Sequence, residues 1–149
     1  MTIHQKIKPH FNQISEQWDR DIIPQLEDYI RIPCKSPMFD THWQANGHMM
    51  KAMELLKNWC EKQPIKNMTI ELLQIDHRPP ILFIDIPGDS DEKILLYGHM
   101  DKQPEMTGWD EGLAPWTPVL RGDKLYGRGS ADDGYAALAS LAAIKTLQE

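Results

Sequence analysis

Lys93-Ile94-Leu95-Leu96-Tyr97-Gly98-His99-Met100-Asp101 is the stretch on which the fold turns. Its first five residues form a nearly continuous apolar run after the Asp89-Ser90-Asp91-Glu92 turn, and so predict a short strand. A strand apolar on both faces belongs in the middle of a sheet covered by helices on both sides. Residues two apart on a strand point to one side, so His99 and Asp101 would face a common space at its carboxyl end, where open α/β sheets bind ligands. A histidine with a carboxylate two positions on suits a metal ligand: one ring nitrogen binds, and the acid holds the proton of the other. Taken alone, the pair fits a histidine satisfied by its neighbour at least as well.

The flanking segments predict an α/β chain of two helices, several strands and a final helix. Phe11, Ile14, Trp18, Ile22, Leu26 and Tyr29 recur at helical spacing, predicting a helix from about residue 12 to 32. Pro24 kinks or restarts it, with Asp21 near the cap, and Pro33 ends it. A second helix is expected over residues 41–63, with Ala45, Met49, Ala52, Leu56, Trp59 and Cys60 on one side. Residues 68–75, 81–86 and 93–97 read as strands, the first with Met68, Ile70 and Leu72 inward. Residues 119–121 and 124–126 read as a hairpin around Gly122-Asp123. The sheet is expected to be mixed and mostly parallel. Ala136 to Leu147 is an Ala- and Leu-rich helix, with Asp132-Asp133 at its N-terminal end, where the helix dipole favours carboxylates.

Composition sets the class. A chain of 149 residues with 41% hydrophobic and 26% charged residues matches an ordinary soluble globular domain. A formal net charge of −6 and the lack of any basic run argue against nucleic acid and against anionic membranes as partners. Residues 1–10 carry no long apolar stretch, so neither a secretory signal nor a membrane anchor is expected there. Cys34 and Cys60 read as reduced, buried thiols, and a cytoplasmic location follows from these absences.

Leu125-Tyr126-Gly127-Arg128-Gly129-Ser130-Ala131-Asp132-Asp133-Gly134 delivers two adjacent carboxylates to a helix start. Neighbouring anions are costly to desolvate unless a cation or donors compensate, and a divalent metal would do so. Carboxylate oxygen with imidazole nitrogen suits Zn²⁺ first, and also Mn²⁺ or Co²⁺. The bland alternative is a doubly acidic helix cap. A dinucleotide cradle fails, because the third glycine of the fingerprint would fall at Asp132.

Gly98-His99-Met100-Asp101-Lys102-Gln103-Pro104, Gly108-Trp109, Pro115-Trp116-Thr117-Pro118, Asp123 to Gly129 and Asp132-Asp133 together resemble the carnosinase, glutamate carboxypeptidase and aminoacylase family of dimetal peptidases, on its dipeptidase-like branch. The resemblance implies that His99 binds one of two divalent ions, that Asp132 bridges both, and that Asp101 orients His99, with a cis peptide joining Asp132 to Asp133. It implies a hydrolase that cleaves dipeptides, or C-terminal or acyl amino acids, with a metal-activated water, and a homo-oligomer. Residues 1–149 would be the N-terminal portion of the catalytic domain, inactive alone, without the lid and dimerisation domain, the paired glutamates, the further acidic ligand and the late histidine. The rivals are a non-catalytic metal-binding or interaction module and an amino-acid deacylase. Gly134-Tyr135 departs from the Lys-Gly usual in the family at that point. Glu105, Asp110 and Glu111 are expected to be solvated loop charges, and His42, His48 and His77 surface or helix-face residues.

Overall fold

The computed structural model describes Gln5 and residues 8–149; most of the segment 1–10 read as lacking a signal or anchor lies outside the described residues. A 3₁₀ turn at Lys8–His10 leads into helix α1 (Phe11–Gln17), a π-helical stretch (Trp18–Ile22) and helix α2 (Ile23–Ile30). The expected interruption at Pro24 takes this form: Pro24 stands in the first turn of α2, and the widened turn lies just ahead of it. Proline has no N–H and its ring clashes with the carbonyl four residues back, so a loosened turn is the local solution. Asp21 does not cap; its carboxylate accepts the indole N–H of Trp59 at 2.9 Å.

The second helix is divided. Gly47, in the left-handed conformation (φ 69°), separates the short α3 (Trp43–Asn46) from α4 (His48–Cys60). Met49, Ala52, Leu56, Trp59 and Cys60 are buried as the helical spacing requires, whereas Ala45 is exposed. Strands β1 (Thr69–Leu73) and β2 (Ile81–Asp85) pair antiparallel, as do β3 (Val119–Arg121) and β4 (Lys124–Tyr126), and helix α5 (Ala136–Gln148) ends the chain. The core joins the π-helical stretch and α2 to α4 and α5 through Ile22, Leu26, Leu56, Trp59, Leu138 and Leu141, with Ile70, Leu82 and Ile84 packed against it. No helix among the described residues is long and apolar enough to cross a membrane. Both cysteines are free and buried.

The expectation of a mixed, mostly parallel sheet is wrong. The described strands form two separate two-stranded antiparallel sheets, and the parallel element is a lone bridge between Lys35 and Lys102. Chain length explains this: parallel neighbours need a crossover of about a dozen residues or more, whereas residues 74–80 and 122–123 are short connections. Leu73, Ile81 and Phe83, on the outer face of β1–β2, are exposed. Residues 93–97 adopt no regular structure, and Ile94, Leu95, Leu96 and Tyr97 are between 55% and 90% exposed.

A surface this apolar has a measurable consequence. Residues 1–149 produced alone are expected to self-associate at micromolar concentration and to bind an apolar-surface dye. Leu95→Lys should weaken both effects. A dye-silent monomer across that range would contradict the expectation.

Candidate metal centre

Three sequence-derived site residues meet, although the strand meant to present two of them is absent. His99 lies between two carboxylates: its Nδ1 is 3.2 Å from Asp101 Oδ1, and its Nε2 is 3.2 Å from Asp132 Oδ1. The backbone carbonyl of Asp101 also stands 3.0 Å from Nδ1. Nδ1 faces two oxygens and Nε2 one, so in the neutral ring the proton is favoured on Nδ1, with Nε2 turned toward Asp132. His99 and Asp101 are half-buried while the Asp132 side chain is 63% exposed, so the opening lies on the Asp132 side.

Burial alone would lower the His99 pKa. The Asp101 carbonyl and the charges of Asp101, Asp132 and Asp133 outweigh it, and the net shift is upward. The same negative surroundings that favour the imidazolium suit a cation held at Nε2 in place of the proton. Two ligands about 2.0–2.2 Å from one tetrahedral Zn²⁺ stand about 3.3 Å apart, so the Nε2–Oδ1 separation fits a pair of donors to one ion. The fit is partial: among the described residues, no group of three or more His, Cys, Asp or Glu side chains converges on a single point.

The peptide between Asp132 and Asp133 is cis. Neither aspartate caps α5. Tyr135 occupies the N-cap without a side-chain bond, and the aspartates lie in the turn before it. Glu105, its side chain 47% exposed, pairs with Lys35 at 3.0 Å, and its backbone carbonyl accepts the indole N–H of Trp109 at 2.9 Å.

Sequence reasoning passed over Lys102. It is 1% exposed, and its Nζ donates to the carbonyls of Tyr29 (2.7 Å), Ile30 (3.3 Å) and Ile32 (2.7 Å) at the carboxyl end of α2. Burial lowers its pKa to about 8. The signal was present in the alternation: if His99 and Asp101 face the site, Met100 and Lys102 face the interior.

Residues 95–149 match the model of peptidase family M20/M25/M40. The chain is 31% identical over 132 residues to an uncharacterized metallohydrolase of Methanocaldococcus jannaschii, covering 82% of this chain and 30% of that protein. It is 36% identical over 73 residues to the Beta-Ala-His dipeptidase of Mus musculus, covering 47% of this chain and 14% of that protein. The crystal structure of human carnosine dipeptidase 1 superposes with a TM-score of 0.69 at 19% identity, over 99% of this chain and 31% of that one, which establishes a shared fold. The chain therefore spans less than a third of the length of each of these relatives. The family-level match is to the M20 peptidases, on their dipeptidase–carnosinase branch.

Proposed function

We propose that the chain is the N-terminal portion of the catalytic domain of a metal-dependent hydrolase acting on the amide bond of dipeptides or acyl amino acids. The observation that carries the reading is His99 set between Asp101 and Asp132, at 3.2 Å on each side. The similarity to a metallohydrolase and to a Beta-Ala-His dipeptidase supports a hydrolase and favours a peptide-type substrate. In this reading His99 Nε2 and Asp132 hold divalent ions, Zn²⁺ first, with Asp132 shared between two. Such ions polarise a scissile carbonyl and lower the pKa of water toward neutrality. Asp101 keeps the His99 proton on Nδ1, which leaves Nε2 free to donate its lone pair. The exposed Asp132 side leaves room for a substrate to approach. The rival reading, a non-catalytic metal-binding or interaction module, draws on the lack of a three-ligand cluster among the described residues.

Titration with Co²⁺ of the purified, metal-free full-length protein, of which this chain is the proposed N-terminal portion, followed by assay against dipeptides and acyl amino acids, tests the proposal. Binding is expected to vanish in His99→Ala, and hydrolysis to stop with chelator. Because the His99 pKa lies above its ordinary 6.5, protons compete at Nε2 and Co²⁺ affinity should fall already as the pH drops toward that value from above. Co²⁺ binding unchanged in His99→Ala would end the metal-site reading. His99-dependent binding without hydrolysis of either substrate class would favour the rival.

A further inference from the structure

Lys102 and Tyr29 touch both halves of the candidate centre from its inner side. The Lys102 ammonium collects three carbonyls at the end of α2 and lies 3.9 Å from the centre of the Tyr29 ring. The backbone of Lys102 is fixed as well, its N–H donating to Cys34 O and its carbonyl accepting from Ser36 N–H, each at 2.9 Å. Two residues earlier the Met100 carbonyl accepts the Tyr29 hydroxyl and the Cys34 thiol, each at 3.0 Å. The segment carrying His99 and Asp101 is thus tied to the end of α2 by side chains pointing away from the site.

The Asp132 loop rests on the same pair. Gly129 packs so closely that a Cβ there would stand 2.7 Å from Lys102 Cε and 2.9 Å from Tyr29 Cε1. Gly134, on the other side of Asp132-Asp133, lies against the Tyr29 ring and donates its N–H to Gly129 O at 3.0 Å. One buried pair therefore supports the His99 segment through hydrogen bonds and the Asp132 turn through packing.

We propose that Lys102, together with Tyr29, is a positioning residue for the candidate centre: its buried ammonium, anchored on the carboxyl end of α2, sets the orientation of His99 toward Asp101 and Asp132. A cation suits this place because the last carbonyls of a helix lack intrahelical partners and carry the negative end of its dipole. A methionine would fill the space of the stem and satisfy none of those carbonyls.

The proposal rests on the metal-site reading only for its second readout. The first is the tautomer of His99 in the metal-free protein, taken from its imidazole nitrogen shifts at a pH where the ring is neutral. The wild type is expected to hold the proton on Nδ1. Lys102→Met should move the ring toward the mixture of free imidazole, and should weaken Co²⁺ binding about 10-fold or more, the scale of a lost supporting contact. A purely structural role would lower the melting temperature and leave the tautomer of the folded protein alone. Wild-type tautomer together with Co²⁺ affinity within twofold, in a folded Lys102→Met, would overturn the proposal. Should that variant not fold, Tyr29→Phe decides: it keeps the ring beneath the ammonium, loses the bond to Met100, and should shift the tautomer in the same direction by less. No shift there overturns the proposal too. If the wild type binds no Co²⁺ through His99, the metal reading has failed, and the tautomer comparison still decides on Lys102.

Discussion

In the full-length protein Asp132→Asn is expected to strip metal, whereas Asp101→Asn largely keeps it and lowers activity. The two aspartates flank one imidazole at the same distance, 3.2 Å, but at opposite nitrogens. Asp101 faces Nδ1, where its own backbone carbonyl is a second acceptor at 3.0 Å. An asparagine at 101 therefore leaves Nδ1–H with a partner, and the tautomer that presents Nε2 survives. What is lost is the negative charge that makes the imidazole a stronger donor, and removal of such a partner costs about 10- to 100-fold in affinity or activity. Asp132 faces Nε2 itself. A neutral amide oxygen there is a poor donor to one ion and a worse bridge between two, whose charges would repel at short range. Metal content after gel filtration, measured beside activity for both variants, separates the roles. Equal metal loss would make Asp101 a direct ligand. Full occupancy in Asp132→Asn would remove Asp132 from the coordination sphere.

The helices were legible because their signal is local. The apolar spacing of Ile22, Leu26 and Tyr29, and of Met49, Ala52, Leu56 and Trp59, matches the faces the core takes up, and Pro24 marks where the first helix changes its turn. The Gly122-Asp123 hairpin followed from a two-residue turn in the same way. Sheet topology failed because pairing is not local. Residues 93–97 have the composition of a buried strand, but a strand is defined by its partners, and the segment has none among the described residues. The short connection between β1 and β2 held enough information to predict an antiparallel pair. His99 and Asp101 could be placed side by side from their spacing, whereas Asp132, 33 positions after His99, was joined to them through the resemblance. Lys102 and Tyr29 could not be joined in the same way: one is charged and one lies on an apolar helix face 73 positions earlier, and their meeting depends on the end of α2 reaching the motif. Gly134 makes sense only once the Tyr29 ring is seen against it.

Gly134→Ala is expected to destabilise the protein by about 3 kcal/mol or more, beyond the usual cost of overfilling a core. Gly134 is buried in the turn that follows Asp132-Asp133. A Cβ there would stand 2.2 Å from Tyr29 Cε1, 2.5 Å from Tyr29 Cδ1 and 2.7 Å from the carbonyl oxygen of Gly129. Two of these atoms belong to an aromatic ring held by its hydroxyl on Met100 O and by the Lys102 ammonium at its face, so the ring has little freedom to withdraw. The third is backbone and cannot move without shifting the Asp132 turn. Relaxation therefore has to displace either the pair that supports His99 or the loop that carries Asp132, and metal affinity should fall together with the melting temperature. Gly88→Ala is the matched control, because a Cβ at that position meets nothing within 4 Å. A double-mutant cycle with Tyr29→Leu separates the two contacts: the ring clash is relieved by the smaller side chain, and the clash with Gly129 O is not. Partial recovery in the double variant is the expected result. A Gly134→Ala protein as stable as the Gly88→Ala control would mean that the turn does not pack against Tyr29, and the shared support of His99 and Asp132 would fall with it.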